Sequence, residues 1–331
     1  GLRAAGTVLV DRPPSRVRLG SAAEKFAESF TTVMKAVRTN VVTTLVQVDV
    51  TLQNLLHNLP WYATAPGIED LKDACRGKPA VVVAAGPSLR RNIDLLAQPG
   101  VRDRVVIIAV QTVLKTLLAK GIRPHFVTAL DYHEISRRFY EGLTERDVEG
   151  VTLVVEPKCN RAILEAFPGA VRCAADQVLD QVLASADNRA ERFLPPGATV
   201  AHLAYYLARH LGCDPVVLIG QDLGFTDGQY YAPGAAIHQV WSSELNEFNT
   251  LEGLEWQRIA RMRGLLRRLS DQQGRPIYTD EQMATYLVQF ERDFMHDAAR
   301  GLTTIDATEG GVLKQHTVVM TLREALERHA G

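Results

Sequence analysis

The sequence lacks several short motifs that mark common ligand and metal sites. It contains no GxGxxG, no GxxxxGKS or GxxxxGKT, no DxD and no CxxC. The glycine-rich motifs bind dinucleotides and nucleoside triphosphates, and DxD holds the metal ion of many sugar-nucleotide transferases. These absences count against an ordinary dinucleotide enzyme, a P-loop kinase and a metal site of the DxD type. We therefore predict no resident metal ion.

Cysteine and net charge are also low. The four cysteines stand at positions 75, 159, 173 and 213, and none has a histidine at the spacing of zinc ligands. We predict reduced, mostly buried thiols in a cytoplasmic protein. The net charge of −1 gives no reason to expect general binding to nucleic acid or to anionic membranes.

Long hydrophobic runs are absent as well. The stretch VVTTLVQVDV is too short and too polar to cross a bilayer, and no secretory signal is visible. The hydrophobic content of 46% is ordinary for a soluble globular protein. The chain begins at Gly1 rather than at methionine, so we expect a piece of a longer protein.

The first part of the chain has helical periodicity. Ser21 and Glu24 have the spacing of a capping box, and apolar residues recur at helical spacing from there to about His57. Pro60 is predicted to end this helix. We predict a helical lead-in over residues 1–69 and a catalytic domain over residues 70–331.

After residue 80 the pattern changes to strands that alternate with helices. Strands that are apolar throughout are typical of a sheet covered on both faces, and the alternation indicates parallel pairing. We predict an α/β fold, a Rossmann-like and mostly parallel sheet with helices on both faces. The predicted strands cover 80–85, 104–110, 125–130, 151–155, 216–220, 276–280 and 302–306. The predicted helices cover 89–97, 112–120, 199–211, 252–271, 281–299 and 321–329.

Polar residues follow the strands at the carboxyl edge of this predicted sheet, where open α/β sheets bind ligands. They are Gly86-Pro87-Ser88, Gln111, Asp131 and Gln221-Asp222. Gly86 allows close approach to the backbone, and the hydroxyl and N–H of Ser88 at a helix start suit a phosphate. The alternative is a plain strand-to-helix turn, and the stretch alone does not decide between them.

The two aspartates at strand ends also have two interpretations. A carboxylate at Asp131 or Asp222 can bind a sugar hydroxyl, bind a metal or act as a base. Either residue can instead cap the helical segment that follows it.

Residues 224–249 are predicted to form a long loop or lid over the site. Tyr230 and Tyr231 can donate hydrogen bonds to a leaving phosphate. His238 can take a proton from an attacking hydroxyl. The alternative is an exposed histidine without a catalytic role, since the sequence does not identify a partner for it. Thr199 is a predicted N-cap that could meet a phosphate, and His202 is expected on the same helix facing the site.

Four stretches together resemble the motility accessory factor (Maf) family. They are GKPAVVVAAGPSL, LLAKGIRPHFVTALD, LGCDPVVLIGQDLGFTDG and IDATEGG. This family shares a domain with MptE-like 6-hydroxymethylpterin diphosphokinases and is similar to Rossmann-like bacterial sialyltransferases. The resemblance runs from about residue 70 to about residue 325, and residues 21–69 look like the helical segment that precedes this domain.

The resemblance implies a glycosyltransferase of motility-associated protein O-glycosylation. It would move a nonulosonic acid, such as pseudaminic or legionaminic acid, from a CMP-activated donor to Ser or Thr of flagellin or another protein. No metal or other cofactor is required by this scheme. We predict His238, Asp222 and Tyr231 as catalytic residues. The predicted nucleotide-sugar site comprises Gly86, Pro87, Ser88, Gln111, Asp131, Thr199, Gly220 and Gln221, and the resemblance adds Glu309 and Gly310 in a loop near donor or acceptor.

The sequence departs from the family pattern at two places. Members often have Thr-His-Ala where this chain has Tyr230-Tyr231-Ala232, and relatives often have Asp where it has Gln111. One alternative is a diphosphokinase that transfers pyrophosphate from ATP to a pterin-type alcohol, with Mg²⁺ on Asp131 and Asp222. The other, which the departures at Gln111 and Tyr231 favour, is a non-catalytic domain that binds a partner.

Overall fold

The computed structural model describes residues 18–183, 192–235, 238 and 241–331. Contacts between Cα atoms divide the chain into two compact units, residues 1–53 and residues 54–331. The boundary at residues 69 and 70 stays a prediction. No helix in the described ranges combines the length and the apolar character that crossing a bilayer requires.

The first helix, α1, is longer than the sequence predicts. It spans Ser21–Thr64 and passes through Pro60, which was expected to end it. The last turn is held by tertiary contacts, because the Tyr62 side chain is buried and donates a 2.6 Å hydrogen bond to Asp180. Pro60 lacks a backbone N–H and so cannot donate one helical hydrogen bond. The favourable free energy of burying Tyr62 outweighs that loss.

The main unit is built on one sheet of eight parallel strands. The strands are β1 Ala80–Val83, β2 Val106–Val110, β3 Phe126–Ala129, β4 Thr152–Val155, β5 Ala170–Cys173, β6 Val216–Ile219, β9 Thr304–Asp306 and β10 Val318–Val319. Their order in the sheet is β10-β9-β6-β1-β2-β3-β4-β5. The predicted α/β fold is confirmed, because apolar residues on both faces bury the central strands completely. A separate antiparallel hairpin pairs β7 Arg267–Ser270 with β8 Pro276–Thr279.

Helices connect and cover these strands. The central one, α6 (Val200–His210), contacts β1, β2, β3 and β6, and its apolar face is buried. The helices after α1 are α2 Val101–Arg104, α3 Leu114–Ala119, α4 Arg161–Ala166, α5 Gln177–Val182, α6 Val200–His210, α7 Leu251–Arg261, α8 Glu281–Ala299 and α9 Leu322–His329.

Some elements differ from the prediction. The predicted helix 89–97 is two short 3₁₀ segments, Pro87–Arg91 and Ile93–Ala97, because Asn92 leaves helical geometry and its side chain bonds to the carbonyl of Ala307. The predicted helix 252–271 ends at Arg261, and the hairpin begins soon afterwards. The edge strands β5 and β10 were not predicted, since partial exposure deprives them of a continuous apolar run.

The cysteines agree with the prediction. All four lie in the described part of the chain and are free, and Cys159, Cys173 and Cys213 are buried. Burial raises the pKa of the Cys213 thiol to about 12, so this sulfur stays protonated and unreactive.

The strand order reverses beside β1. Strand β2 pairs with one side of β1, and β6 pairs with the other side. The chain therefore continues in opposite directions from β1 and from β6. Such a switch point opens a crevice between the loops that leave the strands. The loops after β1 and β6 therefore define where a ligand site is expected.

Candidate active site

The crevice between the loops after β1 and β6 is closed by hydrogen bonds. The carboxylate of Asp222 accepts the amide of Ser88 at 3.2 Å and its hydroxyl at 2.7 Å. The Thr226 hydroxyl donates to the same carboxylate, and the Gly86 amide donates to the carbonyl of Gly220 at 2.7 Å. The predicted phosphate donors of Ser88 are thus already bonded within the protein.

Gly86 makes room for these contacts. A Cβ at this position would lie 2.0 Å from the Asp222 Oδ2 atom and 2.5 Å from the Gly220 carbonyl oxygen. Ser88 is 0% exposed and Asp222 is 2% exposed. Burial raises the pKa of Asp222, against the opposing effect of the hydrogen bonds from Ser88 and Thr226. The structure favours the plain turn at this place, and roles for Gly86, Pro87 and Ser88 in nucleotide binding stay predictions.

The loop after β9 completes this network. The Gly311 amide donates to Thr226 Oγ1 at 3.0 Å, and the Val312 amide donates to the Asp222 carbonyl at 2.8 Å. Gly311 has a φ of +72°, and a Cβ there would lie 2.4 Å from the Asp222 Cα. Only glycine fits this close approach of two loops.

Glu309 and Gly310 lie in the same loop and hold it to the turn after β1. One Glu309 carboxylate oxygen accepts the Asn92 side chain and the Leu322 amide, each at 3.0 Å. A Cβ on Gly310 would lie 2.8 Å from the Ser88 Cβ. Both predicted site residues therefore contact the turn after β1, while their roles toward a ligand stay predictions.

Gln111 and Asp131, after β2 and β3, form a second polar cluster. The Gln111 amide group donates to Asp131, and the Ser136 hydroxyl donates to the same Asp131 oxygen at 3.0 Å. Tyr140 donates to the Gln111 carbonyl oxygen at 3.0 Å, which fixes the amide orientation. Burial raises the pKa of Asp131, but this side chain keeps partial exposure. Asp131 is accordingly the more accessible of the two predicted aspartates.

Gln221 lies in the loop that follows β6. It is 6% exposed, and its Oε1 atom has no hydrogen-bond partner among the described residues. An unsatisfied buried amide oxygen costs about 1–3 kcal/mol, so a donor from a ligand would be favourable here.

The predicted lid is attached to the carboxyl edge of the sheet. The Ala232 amide donates to the Ala85 carbonyl at 2.9 Å, and Thr116 donates to the Gly234 carbonyl at 3.2 Å. Burial raises the pKa of the Tyr231 hydroxyl, and the charge of Asp131 raises it further. Tyr231 is therefore a protonated donor near Asp131. Residues 236, 237, 239 and 240 of the predicted lid lie outside the described residues.

His238 has a partner that the sequence did not identify. Its Nε2 atom lies 2.7 Å from Glu255 Oε1, and the second Glu255 oxygen accepts the amides of Tyr230 and Tyr231. His238 is 7% exposed and Glu255 is 1% exposed, so the expected alternative of an exposed histidine is wrong. His238 Nδ1 is buried and has no hydrogen-bond partner among the described residues. When Nε2 carries the proton toward Glu255, Nδ1 is a free base.

Sequence reasoning also missed two cations near Tyr231, namely Arg258 and Arg138. The charge of Arg138 lowers the pKa of Asp131 and of Tyr231, although burial outweighs it at both. The Arg138 Nε atom is buried without a hydrogen-bond partner among the described residues, and Lys115 donates to the Arg138 carbonyl at 2.8 Å. The available signal was the Arg pair in EISRRF directly after Asp131.

Thr199 and His202 lie at the start of α6. Thr199 is the N-cap, as predicted, and accepts the His202 amide at 3.4 Å. His202 is 0% exposed and stacks on Phe290 with 3.7 Å between ring centroids. Burial lowers the pKa of His202 to about 3, so this histidine is a neutral core residue and the expectation that it faces the site is wrong.

The family model for the 6-hydroxymethylpterin diphosphokinase MptE-like proteins matches residues 53–228, just over half of the 331 residues. The chain belongs to this MptE-like family. The solved structure of the MAf glycosyltransferase from Magnetospirillum magneticum AMB-1 is also similar, with a TM-score of 0.54 and 20% identity. The match covers 75% of this chain and 34% of that one, and it shows a shared fold. No curated protein matches the chain.

The two predicted Mg²⁺ ligands of this MptE-like chain differ in availability. Both Asp222 oxygens already accept hydrogen bonds from Ser88 and Thr226. Asp131 keeps partial exposure, and Mg²⁺ is usually held by one or two carboxylates together with substrate phosphates. Within the described residues, no group of three or more His, Cys, Asp or Glu side chains could hold a metal ion.

Proposed function

We propose that this MptE-like chain is a glycosyltransferase, which moves a sugar from a nucleotide-activated donor to a hydroxyl group. The observation that carries the proposal is the His238–Glu255 pair beside Tyr231. A buried carboxylate holds one imidazole nitrogen and leaves the other as a base, which is the arrangement that activates hydroxyl nucleophiles.

The proposed step balances without a metal ion. His238 Nδ1 takes the proton of the acceptor hydroxyl, whose oxygen forms the new bond to the anomeric carbon of the sugar. The bond from that carbon to the donor phosphate breaks, and its electron pair goes to the phosphate oxygen. Glu255 stabilises the imidazolium that results, as the third member of a catalytic triad does.

The leaving phosphate would meet donors that lie near Asp131. The Tyr231 hydroxyl is kept protonated by its raised pKa and can donate to the phosphate. Arg138 supplies positive charge close to Tyr231 and Asp131. Such preorganised donors stabilise charge that develops in the transition state.

The donor is proposed to be a CMP-activated nonulosonic acid, and the acceptor Ser or Thr of flagellin or another protein. The motif order supports this assignment, and the fold shared with a structure named as a MAf glycosyltransferase is consistent with it. Asp131, Gln111 and Gln221 are the partly satisfied polar groups at the strand ends that would bind the nucleotide. A cytoplasmic location is part of this proposal, in line with the four free cysteines.

The second candidate is transfer of pyrophosphate from ATP to a pterin-type alcohol. The name of the matched family favours it. One of its two predicted Mg²⁺ ligands argues against it, because the Asp222 carboxylate is bonded to Ser88 and Thr226.

Calorimetric titration with CMP, CTP and ATP, each with and without Mg²⁺, separates these candidates. The transferase predicts metal-independent binding of CMP or CTP and weak binding of ATP. Tight binding of ATP only with Mg²⁺ would support the diphosphokinase. Absence of any nucleotide binding would favour a non-catalytic binding domain.

A further inference from the structure

A cavity of about 730 Å³ lies beyond the ends of β6 and β9, on the far side of the Asp222 network. Its volume falls within the range of about 300–1,000 Å³ that is typical of ligand sites. The loops Thr226–Gly228 and Gly310–Gly311 form one wall, α7 a second, and the β7–β8 hairpin a third. The apolar lining comes from Phe225, Trp256, Ile259, Leu266, Ile277 and Tyr278.

This cavity lies beside the proposed base. On α7, Glu255 bonds to His238, while Trp256 and Ile259 line the cavity from adjacent positions on the same helix. Tyr230 contacts both the His238–Glu255 pair and the cavity lining. Its amide donates to Glu255, and its ring lies 5.4 Å from that of the lining residue Phe225. The cavity and the His238–Glu255 pair are therefore adjacent.

The charge of the cavity wall is positive. Two of its three arginines are neutralised, because Arg91 pairs with Asp227 and Arg275 pairs with Asp271, each at 2.9 Å. The third, Arg263, is exposed and has no hydrogen-bond or ion-pair partner among the described residues. A carboxylate on the occupant would complement Arg263.

The apolar surface continues outside the cavity. Trp256 is 58% exposed, Tyr278 is 52% exposed and Leu265, next to the lining residue Leu266, is 72% exposed. A small ligand inside the cavity would leave these side chains in water, whereas a polypeptide that crosses the opening would cover them.

We propose that this cavity binds the acceptor polypeptide, through a large apolar side chain that enters it and an adjacent carboxylate that meets Arg263. The proposal rests on the proposed function, since only a protein-modifying transferase needs such an acceptor site. It identifies the acceptor as an acidic segment with an aromatic or large aliphatic residue near the modified hydroxyl.

Fluorescence anisotropy tests this with fluorescein-labelled octapeptide pools. In the first pool one fixed Phe is flanked by Asp or Glu, and all other positions are Ser, Thr, Gly or Ala. In the second pool Lys replaces the acidic residues, and in the third Ser replaces Phe. The protein variants are Trp256→Ala and Arg263→Glu, both at exposed residues whose replacement leaves the core intact. Arg146→Glu, at another exposed arginine, is the charge-matched control.

The proposal expects the acidic Phe pool to bind best and both variants to weaken that binding about tenfold, as loss of one interface anchor does. CMP binding and the Arg146→Glu variant should match the unmodified protein. Failure of the acidic Phe pool to bind, equal binding of the Lys pool, or unchanged binding by both variants would overturn the proposal. CMP binding measured in the same samples distinguishes these outcomes from failure of the transferase itself.

Discussion

The carboxylate of Asp222 accepts both the amide and the hydroxyl of Ser88, at 3.2 and 2.7 Å. These two residues lie on loops that leave neighbouring strands, 134 positions apart in the sequence. Their hydrogen bonds close the crevice where the strand order reverses. The turn Gly86-Pro87-Ser88, which resembles a nucleotide-binding turn, is thus bonded to Asp222 of the same chain. The polar groups that remain available to a ligand lie beside Asp131 and His238.

Asp222→Asn is expected to destabilise the fold. An amide keeps the shape, but a neutral acceptor replaces a charged one, so the buried hydrogen bonds from the Ser88 amide and from Thr226 become weaker. We expect the free energy of unfolding to fall by about 1–3 kcal/mol, measured by urea denaturation. Asp94→Asn is the matched control, because Asp94 forms an exposed ion pair with Lys120. Unchanged stability together with lost turnover would instead assign Asp222 to catalysis.

Gly86→Ala is expected to disturb the same contact between the loops after β1 and β6. The added Cβ would lie 2.0 Å from Asp222 Oδ2 and 2.5 Å from a backbone oxygen, so a loop must move. Overpacking of this kind costs about 1–3 kcal/mol or more, which thermal denaturation would detect. Gly264→Ala is the control, since nothing lies within 4 Å of its added Cβ. Equal melting temperatures for the two variants would contradict the close approach at Gly86.

His238→Gln tests the proposed base. A glutamine can still donate to Glu255 but offers no nitrogen that takes a proton. Loss of a general base lowers the rate by about 10²–10⁴-fold, so kcat of the transfer should fall by that much while CMP affinity is kept. His57→Gln, at an exposed histidine, should leave kcat unchanged. A normal kcat in His238→Gln would exclude this residue as the base.

His125 predicts how stability depends on pH. Burial, helped by the nearby charges of Arg102 and Lys78, lowers the pKa of His125 from 6.5 to about 4, and its Nδ1 atom accepts the Ile107 amide at 3.0 Å. Between these pH values the unfolded chain binds more protons than the folded one, so stability is lost as pH falls from 6.5 toward 4.

The measurement compares urea unfolding at pH 7 and pH 4.5 for the protein and for His125→Asn, whose side-chain oxygen can accept the same amide. We expect the variant to lose less stability than the protein on acidification. Parallel losses in the two proteins would show that other groups cause the acid sensitivity.

The fold was largely predictable because its signals are local. Runs such as AVVV in β1 are buried on both faces, and that burial requires a covered parallel sheet. Elements that depend on distant partners were missed. Asn92 breaks the helix after β1 because it bonds to Ala307, and α1 continues past Pro60 because Tyr62 is buried in the main unit.

The candidate site was predicted only in part. Strand ends located Gln111 and Asp131 correctly at the carboxyl edge, since chain direction alone places them there. The partner of His238 could not be predicted, because Glu255 lies 17 positions away on a helix whose orientation depends on packing.

The sequence by itself determined the α/β class, the family and the set of polar residues at the strand ends, because apolar runs and turns are encoded by neighbouring residues. Only the tertiary structure decided which of those residues are free to act. Ser88 and Asp222 satisfy each other, whereas His238 is held by Glu255 with one nitrogen left open. The reason is physical: a buried polar group needs a partner, and folding alone decides whether that partner is the protein or a ligand.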